Sequence, residues 1–152
     1  ITLRGYLERH PVAAMATPSP SSWGAGGYGE VWVGPKSAWV WRHVHHATRY
    51  ASWLVKRHRD ASGARGRALD QIVRELLLLQ SSDWPFILHT NTSSGYALAR
   101  LQAHDHRLRR LAYIVEKDVA SNEDAKWLDD VCARDNFLWQ LDSGALRAPF
   151  DA

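Results

Sequence analysis

The sequence predicts a mainly α-helical bundle with a Gly/Pro/Ser-rich N-terminal loop and one short extended segment. Three observations carry that reading. Apolar residues recur with the period of one helix face over three long stretches, at spacings of four and three in the first and third and in adjacent pairs three apart in the second. Gly, Pro and Ser crowd into one segment, Thr17 to Pro35, rather than punctuating the whole chain. The one stretch that reads as strand or extended chain, Glu30-Val31-Trp32-Val33, is short and lies inside that segment.

The elements follow in order. Thr2 can cap a short helix reaching Arg9, which the His10-Pro11 step ends because proline disfavours helix at the residue before it. Within the loop, Glu30-Val31-Trp32-Val33 reads as one short strand or extended piece. Val40, Val44, Ala47, Ala51 and Leu54 form the first long stripe, predicting a helix over 38–59 with Ser37 as its cap. After the polar turn Asp60 to Gly66, Leu69, Ile72, Val73, Leu76 and Leu77 predict a helix over 65–81, deeply buried along the four leucines 76–79. Trp84-Pro85 ends it, with Asp83 at the exit. Ala97, Leu101, His104, Leu108, Leu111 and Val115 predict a helix over 93–117, capped by Thr90 or Thr92. Ser121 with Asp124 resembles a capping box opening a helix over 122–133, and residues 135–152 read as an aperiodic tail laid over a surface.

The totals bound the function. A chain of 152 residues fits one domain with its own core and is too short for a large enzyme barrel with a cover. No apolar run approaches the ~20 residues of a membrane span, and Ile1 to His10 does not read as a signal peptide, so a cytoplasmic location is expected. The single Cys132 excludes an internal disulfide and a cysteine-based zinc cluster, and is expected to be a small buried apolar group. The net charge of +3 is scattered along the chain, without the clustered basic face that nucleic acid requires. Eight tryptophans stand against three phenylalanines, and that imbalance points toward sugar. An indole offers a flat apolar face with one N–H at its rim, matching the apolar face and hydroxyl edge of a pyranose ring. About half of the tryptophans are expected to fill the core instead.

Candidate chemistry is sparse. Glycoside cleavage needs two facing carboxylates, yet most acids, among them Asp70, Glu75, Glu116, Asp118 and Asp124, fall at predicted helix ends or polar faces, where capping or solvation is expected. Asp83 stands among loop aromatics, as a receiver of backbone N–H bonds or a holder of sugar hydroxyls, while Glu30 reads as structural. His43 and His46 share a helix face near His45 but lack a matching carboxylate or second spaced pair, so neither a metal nor any other cofactor is expected. His89, His104 and His106 read as surface or core residues. No serine sits in a nucleophile elbow. The run Gly24 to Gly29 lacks the Lys-Ser/Thr of a phosphate loop, and its glycines, Gly26 and Gly27 among them, are expected to allow close backbone approach to a ligand or a neighbouring domain.

The order and spacing of Ser21-Ser22-Trp23-Gly24-Ala25-Gly26-Gly27-Tyr28-Gly29-Glu30-Val31-Trp32, Trp39-Val40-Trp41-Arg42-His43, Arg74-Glu75 through Gln80-Ser81-Ser82-Asp83-Trp84-Pro85-Phe86, and Arg134-Asp135-Asn136 cover nearly the whole chain. In these stretches the sequence resembles the C-terminal part of α-glucan branching enzymes of glycoside hydrolase family 57. The resemblance implies a cytoplasmic enzyme that cuts an α-1,4-glucan, holds the fragment on a Glu with retention, and transfers it to a 6-hydroxyl to form an α-1,6 branch. It implies that the catalytic Glu and Asp lie on an incomplete barrel, which no part of this chain matches and which is the expected partner of the helical part. It further implies that Trp23 and Trp32 stack on sugar and that Asp83 supplies a carboxylate to the glucan cleft, with Trp41, Trp84, Gly26 and Gly27 in support. The family often carries an acidic residue where Ala25 stands and a larger side chain where Gly29 stands. A 4-α-glucanotransferase or amylase of the same family, or a free-standing non-catalytic glucan-binding module, would use the same residues.

Overall fold

The computed structural model describes residues 1–12, 14–117 and 121–146, and among them it contains helices and no strand. Asp118 and the end of the tail, 147–152, lie outside the described residues. Seven α-helices follow in order: α1 (Leu3–Arg9), α2 (Glu30–Val33), α3 (Ala38–Arg57), α4 (Gly63–Leu79), α5 (Asp83–Thr90), α6 (Ser94–Glu116) and α7 (Asn122–Arg134), then a 3₁₀ turn at Ser143–Leu146.

The core is the meeting of α3, α4 and α6. Every residue of the α3 and α6 stripes is buried, Val40, Val44, Ala47, Ala51 and Leu54 on one helix and Ala97, Leu101, His104, Leu108, Leu111 and Val115 on the other. On α4 the buried face runs from Gly66 to Glu75 and includes Gln71, Arg74 and Glu75. The leucine run behaves differently from expectation: Leu79 is buried, but Leu77 is exposed. Four successive residues on a helix point around its whole circumference, so the run cannot all face one core.

The capping residues divide. Thr2 Oγ1 accepts from the Gly5 N–H at 3.1 Å, opening α1. Ser121 Oγ accepts from the Asp124 N–H at 3.1 Å while the Asp124 carboxylate accepts from the Ser121 N–H at 3.3 Å, completing the capping box of α7. Ser37 does stand at the cap of α3, but its hydroxyl donates to the Trp32 carbonyl at 2.9 Å and so ties α3 to α2. Ser93, rather than Thr90 or Thr92, precedes α6.

Two local expectations change. Residues 30–33 form one turn of helix rather than an extended piece. With no neighbouring strand to accept a ladder, the backbone pairs with itself: Gly29, at φ 79°, turns the chain, and the Gly34 N–H donates to the Glu30 carbonyl at 2.8 Å. Pro85 does separate two helices, but it stands inside the second. It is the third residue of α5, where a missing N–H costs nothing because first-turn N–H groups have no partner within the helix. The tail lies on α4, where the Arg74 guanidinium donates to the carbonyls of Leu138, Trp139 and Leu141 and the Asp70 carboxylate accepts from the Ser143 N–H and hydroxyl.

Candidate functional site

The Gly-rich loop folds on itself before α2. The Ser22 N–H donates to the Gly27 carbonyl at 2.6 Å, and the Ser22 hydroxyl accepts from the Gly29 N–H at 2.6 Å. Gly26 and Gly27 take φ of 77° and 72°, a left-handed conformation that side chains with a Cβ resist. This closed loop sets Trp23 beside Trp32, their rings 5.3 Å apart and edge to face at 76°. Phe86, on α5, completes the cluster at 5.5 Å from Trp23 and 6.4 Å from Trp32. Trp23 remains 71% exposed, so a broad indole face is open to a ligand.

The supporting residues act through backbone carbonyls. Trp41 Nε1 donates to the Trp32 carbonyl at 2.7 Å, pinning α2 to α3. Trp84 Nε1 donates to the Leu78 carbonyl at 2.7 Å, which joins the end of α4 to α5 and gives a carbonyl of the last helical turn a side-chain donor. Asp83 is exposed and opens α5, with the Ser81 hydroxyl 3.5 Å from its carboxylate and 3.4 Å from its N–H. Asp83 and Phe86 are three residues apart on one helix, so they share a face. The loop, α2 and α5 thus gather two exposed or half-buried indoles, one phenyl ring and one carboxylate. Phe86 is the member that sequence reasoning missed; its signal was present in the Trp84-Pro85-Phe86 run, once Pro85 is read as opening a helix.

The three neighbouring histidines do not converge. His43 lies against Trp39, His45 against Trp41 and His46 against Tyr50, each on an aromatic ring four residues away. Glu75, by contrast, is wholly buried and not on a solvated face. Its carboxylate meets His104 Nδ1 at 2.7 Å and accepts from Gln71 Nε2 at 3.0 Å. Burial pushes its pKa up, while the hydrogen bonds from His104 and Gln71 pull it down. Asp135 completes the group, receiving Arg107 at 2.7 Å. Glu75, His104 and Asp135 present ligand atoms within 4.8 Å of one another, but each acid is already held by a donor, which makes the group a structural network joining α4, α6 and the tail. Cys132 is half-buried against the core, which pushes its thiol pKa up.

The tryptophans are less buried than expected: only Trp84 is buried, at 8% exposure. Trp53 is 45% exposed because it neighbours the core residue Leu54 and therefore points about 100° away from the stripe. Trp127 is half-buried, with the Arg110 guanidinium 4.2 Å over its ring.

Residues 43–145 match the family model described as 1,4-alpha-glucan branching enzyme, C-terminal. The chain belongs to that family. A 1,4-alpha-glucan branching enzyme of Thermococcus kodakarensis is 32% identical over 137 residues, 89% of this chain and 20% of that protein. A probable 1,4-alpha-glucan branching enzyme of Mycobacterium tuberculosis is 34% identical over 99 residues, 61% of this chain and 19% of that protein. The chain therefore spans about a fifth of the length of these relatives. The fold agrees with the family. The crystal structure of a branching enzyme of the glycoside hydrolase family 57 type from Pyrococcus horikoshii superposes with a TM-score of 0.87 at 27% identity, covering all of this chain and 29% of that one. That of the Thermococcus kodakarensis enzyme, solved in complex with glucose and additives, gives 0.82 at 28% identity over 97% of this chain and 27% of that one.

Proposed function

We propose that this chain is the glucan-holding C-terminal part of a cytoplasmic 1,4-α-glucan branching enzyme, which cleaves α-1,4 links and re-forms them as α-1,6 branches in α-glucan or glycogen synthesis. The observation that carries the reading is the Trp23–Trp32–Phe86 cluster, with Trp23 71% exposed and Asp83 on the same face of α5 as Phe86. Trp23 and Trp32 stack on the C–H faces of successive or neighbouring sugar rings, and the Asp83 carboxylate accepts hydrogen bonds from hydroxyls at the ring edges. Trp41, Trp84, Gly26 and Gly27 hold these groups in place. The acid and nucleophile belong to a catalytic barrel outside these residues, and this part supplies binding energy and orientation. The family match and the branching-enzyme names of the relatives favour this reading over a 4-α-glucanotransferase, an amylase or a free-standing binding module.

The test is substitution in the full-length enzyme, with branch formation on amylose and melting temperature measured together. Trp23→Ala and Trp32→Ala should each remove on the order of 1–3 kcal/mol of ligand contact, the magnitude known for bases stacked on aromatic rings, with little change in melting temperature. Trp84→Ala, which empties a buried site, should cost roughly 3–5 kcal/mol of stability. If Trp23→Ala and Trp32→Ala unfold the protein and leave the folded fraction fully active, the cluster is core and holds no sugar.

A further inference from the structure

A cavity of 190 Å³ opens between the start of α3, the end of α4 and the first half of α6. Helical spacing builds it from two rows. Trp39 and His43 are four apart on α3, and Leu98, Gln102 and Asp105 follow at four and three on α6, so each row lines one side. Its floor is apolar and buried: Val40, Leu79 and Leu101. Trp39 and Leu98 form walls that remain 40% and 39% exposed. The His43 ring stands edge to face against the Trp39 indole at 6.0 Å and 79°, which braces the indole from the side.

The rim has a different character. His43, Gln102 and Asp105 place an imidazole, an amide and a carboxylate around the apolar floor. Arg109 Nε donates to Asp105 Oδ2 at 2.8 Å, which fixes the carboxylate and leaves its other oxygen to accept from a ligand. An anion is disfavoured by that carboxylate, and a wholly apolar ligand would strip water from three polar groups without replacing it. A neutral polyol with one apolar face satisfies both layers: C–H groups on the indole and leucines, hydroxyls toward the rim. The cavity is smaller than the roughly 300–1,000 Å³ of pockets that enclose drug-sized molecules, which suits one sugar ring at a time.

We propose that the cavity bounded by Trp39, Leu98, Gln102 and Asp105 is a second sugar site of this chain, separate from the Trp23–Trp32–Phe86 cluster, which takes one glucose unit of an α-glucan. The choice of an α-glucan as the occupant rests on the function proposed above; the apolar floor and polar rim do not. A second foothold on the same chain raises the effective concentration of glucan at the first, so the two sites together bind long chains more tightly than short ones.

The experiment uses the full-length protein. Mobility in native gels containing amylose gives the affinity for a long glucan, and the indole N–H resonance of Trp39, assigned by Trp39→Phe, is followed during titration with maltoheptaose. Trp39→Ala and Asp105→Asn should each weaken retardation by about fivefold or more, and the Trp39 resonance should shift with maltoheptaose in the native protein. Retardation unchanged by Trp39→Ala but weakened by Trp23→Ala overturns this site and leaves the proposed function standing. Retardation unchanged by either variant overturns both. If Trp39→Ala lowers the melting temperature, the native protein decides, and a Trp39 resonance unmoved by maltoheptaose overturns the proposal. Cross-peaks from the Trp39 indole to another segment of the full-length protein overturn it in favour of a protein contact.

Discussion

Glu75 is where a single residue departs most from its sequence context. Its place in the sequence reads as a solvated polar face, and the fold instead buries it against His104 and Gln71. Because burial is the largest influence and raises its pKa, folding favours the protonated carboxyl. That contribution is full below the ordinary glutamate range and is lost as pH rises through the folded value. Glu75→Gln should therefore lose less stability than the native chain as pH is raised from about 4 toward neutrality, measured as melting temperature across a pH series. Parallel profiles would show that Glu75 does not titrate between the two states. Glu75→Ala leaves His104 and Gln71 without their partner, and a cost of about 1–3 kcal/mol for each buried group left unpaired is expected.

Among the elements, α7 is the one whose start is written most directly in the sequence. Ser121 and Asp124 exchange hydrogen bonds within one turn, so no distant residue is needed to specify them. Hydrogen bonds from the Ser121 hydroxyl and N–H lower the pKa of Asp124, so the stability it lends is present above the ordinary aspartate range and is lost as pH falls through the folded value. Ser121→Ala should destabilise the chain by about 1 kcal/mol near neutral pH, with the difference from native shrinking in acid. A constant difference at all pH values would assign the effect to helix propensity alone. By contrast, α2 and α5 were not legible. The Val31-Trp32-Val33 run favours strand locally, and what makes it a turn of helix is the absence of a partner together with the tie of Ser37 and Trp41 to the Trp32 carbonyl. Pro85 looks like a terminator in sequence and is a first-turn residue in space.

At the scale of the molecule, apolar groups outside the core are unevenly placed. No residue of α1 is buried, with Leu3 86% and Leu7 53% exposed, and Trp23 and Tyr28 stand out of the Gly-rich loop at 71% and 82%. Among the described residues no helix is long and apolar enough to cross a membrane. A chain of this family produced without the rest of the enzyme should self-associate or bind a hydrophobic dye, observed by light scattering and dye fluorescence. It should also form no branches in amylose and release no reducing sugar. Branching activity from the purified chain would place the catalytic carboxylates within these residues and overturn the division of labour proposed above.

Local spacing along the chain specifies the helical class, the buried stripes of α3 and α6, and the caps at Thr2 and Ser121, because each depends on residues within a few positions of one another. The sequence also singled out Asp83 by its place among loop aromatics, and Trp23 and Trp32 with it through the resemblance of their stretches to branching enzymes. The tertiary structure alone decided which tryptophans are core and which are free. Trp53 lies beside a core residue yet faces outward, and Trp84 lies beside a proline yet is buried. It alone brought Phe86 to Trp23, and joined Glu75, His104 and Asp135 across 29 and 60 positions of sequence. Periodicity fixes the direction of a side chain relative to its own helix. What waits in that direction depends on how the helices pack, and so on contacts that no local window of sequence contains.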